Sequence, residues 1–161
     1  MALTVGTDAY DTLANVDAYW VARGGTAWAA ETDDPTREIY IRKATDYIDR
    51  NFTYIGDVAT STQRLKWPRQ FAYVEGNEIG ETVIPWQVEE ATAIVADLFR
   101  NGTYDMEGIV TNDAAAVSMQ KVDVITVAYD TSKRLQGKAV MSHVSMLLRP
   151  LTLGTGGLVR A

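Results

Sequence analysis

At 161 residues, 47% hydrophobic and 22% charged, the chain has the composition of a folded protein and can bury roughly 70% of its unfolded surface as one domain. With no cysteine it excludes disulfides, cysteine nucleophiles and thiolate metal sites, which suits a reducing cytoplasm. The net charge of −6 is unevenly spread: residues 1–130 hold 21 acids against 10 Lys/Arg (−11), while residues 131–161 hold Lys133, Arg134, Lys138, Arg149 and Arg160 and no acid (+5).

No apolar run approaches the ~18 residues of a membrane span, and Met1–Asp8 lacks the basic and apolar regions of a secretory signal. In chain order, Asn15 is placed to cap a helix over 16–23, with Gly24-Gly25 ending it. Asp33-Asp34-Pro35 marks a second start. From there Ile41, Ala44, Thr45, Ile48 and Phe52 recur at helical spacing as a buried stripe. Across from it Glu38, Arg42, Asp46 and Arg50 alternate in sign every four residues.

Residues 51–83 read as a long irregular connection, a type that is functional or hides short elements. Trp67 is expected to pin it by entering the core. A third helix starts at Pro85 and stops near Asn101-Gly102. Its stripe is Val88, Ala91, Ile94, Val95, Leu98 and Phe99, with Ala93 and Ala96 beside Glu89, Glu90, Asp97 and Arg100 on the other face. Residues 103–116 read as a polar loop, and β-branched residues at 117–129 predict a hairpin turning near Lys121–Asp123. A last helix is expected over 135–148, with Val140, Val144 and Leu147 on its apolar face and Pro150 closing it. The fold class is therefore mainly α: a compact bundle of about four helices with an inserted β-hairpin and a long irregular connection, in a domain 1–148 followed by an arm 149–161.

Catalytic chemistry finds little support. His143 is the single histidine, too few for a zinc site, and Ser142 and Ser145 do not face it on a helix; a structural imidazole is expected. Asp33/Asp34 are explained by capping and Glu89/Glu90 by the helix dipole, and Asp46/Asp49 stand beside Arg42 and Arg50, which should keep them ionised. Gly154-Thr155-Gly156-Gly157 has no Lys-Ser/Thr and is no P-loop. No catalytic residue, metal ligand or cofactor is assigned. One stretch, Arg64-Leu65-Lys66-Trp67-Pro68-Arg69, interleaves cations with an aromatic. It makes Arg64, Lys66, Trp67 and Arg69 a candidate nucleic-acid patch on an otherwise acidic body poorly suited to phosphate.

Trp67-Pro68-Arg69 is followed by Ile84-Pro85-Trp86-Gln87-Val88-Glu89-Glu90-Ala91 and preceded by Val16-Asp17-Ala18-Tyr19-Trp20 and Ala44–Arg50. Val124–Asp130 and Leu147-Leu148-Arg149-Pro150-Leu151 come after. In this order, over roughly residues 3–153, the set resembles the head–tail connector (adaptor, head completion) proteins of tailed bacteriophages, some of which are labelled DnaT-like single-stranded-DNA-binding protein. The resemblance implies a non-enzymatic virion protein, made in the bacterial host cytoplasm and placed at the head–tail junction. It implies a homo-oligomeric, typically dodecameric ring beneath the portal protein. The ring would contact the tail or the next connector (a stopper or tail terminator). It would pass double-stranded DNA without sequence-specific binding and touch no membrane.

Portal docking would fall on Arg149, Pro150, Leu151, Leu153, Leu158 and Arg160. Ring contacts would come from the Glu38–Arg42–Asp46–Arg50 face and from Ala93, Ala96 and Arg100, two different faces as a closed ring requires. The hairpin and the 103–116 loop are candidates for touching the tail side. The acidic, Ala-rich 103–123 region departs from the shorter, more basic lead expected of the family. The alternative is a single-stranded-DNA-binding accessory protein of phage replication.

Overall fold

The computed structural model of the chain describes residues 3–102 and 141–153, together with the strand backbone at 104–105, 108–109, 119–122 and 125–128. Helix α1 (Leu13–Ala22) begins earlier than expected because Thr12, not Asn15, caps it. The Thr12 hydroxyl accepts from the Asn15 N–H at 3.1 Å, satisfying one orphan donor of the first turn, and the Asn15 amide donates to Asp11 at 2.8 Å. A short helix α2 (Thr26–Ala29) folds back on α1 through Gly25, where an added Cβ would lie 2.6 Å from the Trp20 ring.

Helix α3 (Asp34–Asn51) starts as anticipated, with the Asp33 carboxylate accepting from the Thr36 N–H at 3.1 Å and Pro35 in the first turn. Ile41, Ala44, Thr45 and Ile48 are its buried face. Phe52, expected as the last residue of that stripe, instead takes an extended conformation as the C-cap and is half-buried.

Helix α4 (Trp86–Arg100) follows Pro85 and buries the whole expected stripe, plus Thr92, Ala93 and Ala96. It is the central helix of the bundle, packed chiefly on α3 and crossed by α1. Its buried Thr92 hydroxyl donates to the Val88 carbonyl at 2.8 Å, so that hydroxyl is not stranded.

The 51–83 connection hides two small antiparallel ladders. Strand β1 (Asp57–Val58) pairs with β2 (Arg69–Gln70), and β3 (Tyr73–Val74) pairs with β4 (Asn77–Glu78). In the chain between β1 and β2, Trp67, preceding a cis proline, is fully buried edge-on to Tyr54 with ring centroids 5.6 Å apart. Further along, β5 (Tyr104–Asp105) pairs with β6 (Gly108–Ile109) inside the stretch read as a loop. The expected hairpin's strands are β7 (Met119–Val122) and β8 (Ile125–Ala128), with Val122 opposite Ile125.

Helix α5 is described over residues 141–148, where Val144 and Leu148 are buried and His143 is exposed rather than structural; Val140 lies outside the described residues. A 3-10 turn (Arg149–Leu151) follows. Here the expected boundary at 148/149 fails. Leu151 is fully buried, its carbonyl accepts from the Ile55 N–H at 3.0 Å, and the Leu153 N–H donates to the Thr53 carbonyl at 2.9 Å. Residues 149–153 therefore belong to the body, sewn to the chain just after α3. The architecture is mainly α, a helical bundle with inserted β-hairpins. Among the described residues no helix is long and apolar enough to cross a membrane.

Candidate functional site

The four residues of the expected nucleic-acid patch do not form one surface. Lys66 turns inward: its backbone N–H donates to Asp49 Oδ2 at 3.0 Å, and its ammonium donates to the carbonyls of Asp49 and, at 2.7 Å, Phe52. It thus caps the last carbonyls of α3, which have no partner within the helix. Arg69 is 9% exposed and ties a loop together, donating to the carbonyls of Ile55 (2.7 Å), Lys66 (3.1 Å), Tyr54 (3.4 Å) and Gly56. Trp67 is in the core. Only Arg64 of the four is well exposed, 3.6 Å from Asp46. The sequence carried a warning, since cations that follow a helix end by a loop's length meet carbonyls in need of donors.

Asp49 is half-buried and bonded to Tyr10 and Lys66. It accepts from the Tyr10 hydroxyl and the Lys66 amide, and its burial pushes the carboxyl above its ordinary range in spite of those bonds. Burial and the Asp49 charge push the Tyr10 hydroxyl upward in turn. Glu89 is also raised, by burial and then by the neighbouring Asp11 carboxylate, and Asp11 is raised by burial.

The Glu38–Arg42–Asp46–Arg50 face is braced within the chain. Arg42 lies 3.6 Å from Glu38 and donates through Nε to Asp8 at 3.0 Å, while Asp46 meets Arg64 and Arg50 is exposed in the last turn of α3. Asp8 is lowered: the Thr4 N–H and Arg42 outweigh its slight burial. Ala93 and Ala96, expected to let a neighbouring copy approach, are buried inside the fold, and the Ala93 carbonyl accepts from the Trp20 indole at 3.3 Å. They cannot be a ring interface. Arg100 is bound to Asp97 at 2.7 Å.

A different surface is left open. The β3–β4 hairpin, the start of α4 and the α5 end enclose a groove of about 680 Å³, walled by Val83, Trp86, Met146, Leu147 and Pro150 with Glu75 and Glu78 on its rim. Val83 is 48%, Trp86 58% and Met146 72% exposed. Nearby in sequence, Phe71 is 58% exposed although its backbone stands at φ +56°. Gly56 crosses tightly over that backbone, where a Cβ would sit 2.4 Å from the Gln70 carbonyl. A cluster of large exposed apolar side chains is what a protein-binding surface offers. Helical periodicity could not find it, because Trp86 precedes the buried stripe of α4 and the hairpin wall comes from an unpatterned segment.

Of the residues expected to dock a portal, Arg149 is exposed, Pro150 lines the groove, Leu151 is core and Leu153 is 57% exposed. Leu158 and Arg160 lie outside the described residues.

A family model described as "Putative DnaT-like ssDNA binding protein" matches residues 2–161. The chain belongs to this family. The match carries the second label of the sequence resemblance and is silent on a head–tail connector. No curated protein and no solved structure matches the chain.

Proposed function

We propose that this member of the DnaT-like family is a structural head–tail connector, a ring beneath a phage portal that links capsid to tail and continues the DNA channel. The observation that carries the reading is the open apolar groove at Trp86 and Met146, a surface suited to a protein partner and not to phosphate. The order of sequence motifs supplies the class of assembly. The acidic body, with −11 over residues 1–130, suits a conduit that double-stranded DNA traverses without sticking.

In this reading the ring closes through two unlike faces. One is the Glu38–Arg42–Asp46–Arg50 face. The other is the groove, which replaces the buried Ala93/Ala96 pair. The portal is met by the cationic end of the sequence, Arg149, Pro150 and Leu153 with Leu158 and Arg160, and the tail side by the next connector or tail protein. The protein is made in the host cytoplasm and ends at the virion head–tail junction. The test is co-elution with purified portal rings in size exclusion. Association that disappears on deleting residues 154–161 supports the connector, and separate elution of the two proteins contradicts it.

A second reading, single-stranded-DNA binding, is favoured by the family's description. With Lys66, Trp67 and Arg69 turned inward, it would rest on Arg64 and on the cations of residues 131–161. It predicts retention on single-stranded DNA that weakens steeply with salt, with a slope near −0.7 per neutralised phosphate.

A further inference from the structure

We propose that the segment following Leu153 folds back into its own molecule's groove, seating Leu158 and Val159 against Trp86 and Met146 and bringing Arg160 to Glu75 and Glu78. The proposal goes beyond the connector reading and does not depend on it. Three observations carry it.

The first is chemical match. Among the described residues the groove's lining is mostly apolar, its charged members are Glu75 and Glu78, and it includes no Lys or Arg. Residues 154–161 are apolar or small except for one cation, Arg160, and contain no acid. Its volume of about 680 Å³ lies in the range of sites that enclose small ligands, roughly 300–1,000 Å³. Two aliphatic side chains suit it.

The second is reach. Pro150 lines the groove, and the described chain continues three residues further, to Leu153, whose N–H is fixed to Thr53. The eight residues that follow can span about 26 Å when extended. Gly154, Gly156 and Gly157 allow the chain to reverse direction before Leu158.

The third is concentration. A tether this short holds its end at an effective concentration on the order of millimolar. Weak contacts then suffice to cover the groove within one molecule, ahead of any encounter between copies at micromolar concentration. The segment would hide the apolar surface in the free protein and release it when something else takes the segment.

The chain's lack of cysteine permits a direct test by disulfide capture. Asn77→Cys on the groove hairpin is combined with Val159→Cys, in the full chain, at micromolar concentration under mild oxidation. The control pairs Val159→Cys with Asp57→Cys. Asp57 is exposed in β1, two residues from Ile55, which bonds Leu151 near the root of the segment. The expected result is a bridge within single molecules at least fivefold more abundant for Asn77 than for Asp57, falling severalfold when Glu75→Gln and Glu78→Gln are added. Equal bridging at both positions would mean an undirected segment, and bridges only between copies would place it on a neighbour. Either overturns the proposal, and because no portal or DNA is present, neither bears on the connector reading.

Discussion

Lys66 and Asp49 hold each other twice, through the Lys66 N–H on Asp49 Oδ2 at 3.0 Å and through the Lys66 ammonium on the Asp49 carbonyl. A residue that looks like a phosphate-binding cation in sequence is therefore the lock between the end of α3 and the loop carrying Trp67. The Tyr10 hydroxyl completes the lock, donating to Asp49 and accepting the Trp67 N–H at 3.3 Å.

Trp67→Ala is expected to cost about 3–5 kcal/mol, as for other fully buried aromatic side chains. Arg64→Ala, at an exposed ion pair, should change stability by no more than about 0.5 kcal/mol. Urea unfolding of the two variants checks both. Any loss of DNA retention in a Trp67 variant would then report unfolding, and only Arg64 can test the patch as a surface.

Asp49 should reveal itself in the pH dependence of stability. Its carboxyl binds a proton more tightly folded than unfolded, because burial raises its pKa above the unfolded value of about 3.9. The stabilisation that comes with protonation is therefore fully present below that unfolded value and is lost as pH rises through the raised folded pKa. Asp49→Asn lacks this dependence. The stability of wild type minus that of Asp49→Asn should be more positive near pH 4 than at pH 7, and denaturant melts at the two pH values measure it. A gap unchanged with pH would show that Asp49 titrates normally.

Much of the helical framework was legible in the sequence because capping residues and apolar stripes are local. Asp33 and Pro35 mark α3, Pro85 and Gly102 bracket α4, and every stripe residue named on α4 is buried. The fate of the other face of α4 was not legible. Ala93 and Ala96 look the same in sequence whether they admit a neighbouring copy or the chain's own fold, and at Ala93 the partner is Trp20 of α1, far away in sequence. The inward turn of Lys66 and Arg69 was hidden for a related reason. Their partners are main-chain carbonyls, which have no sequence signature. Leu151 was read as part of an arm because its main-chain partner, the Ile55 N–H, lies nearly a hundred residues earlier.

Ala93→Leu and Ala96→Leu provide a check on that correction. Inserting methylenes at fully packed positions should destabilise the protein by about 1–3 kcal/mol each in thermal or denaturant melts of the isolated chain. Unchanged stability would return these alanines to the surface and to consideration as a ring contact.

Trp86→Ser is expected to behave in the opposite way. With its side chain largely in solvent, its loss should leave the melt within about 1 kcal/mol of wild type. In the connector reading the same change should abolish ring formation on portals. Analytical size exclusion with and without portal rings separates the two effects. Rings that still form with Trp86→Ser would remove the groove from the copy–copy interface.

The central claim is assembly on a portal, and negative-stain imaging of the purified chain mixed with portal rings tests it most directly. The account predicts a second ring stacked coaxially on the portal, present with the full chain and missing when residues 154–161 are deleted. Bare portals with the full chain, together with salt-sensitive retention of the protein on single-stranded DNA, would contradict it and establish the DNA-binding reading in its place.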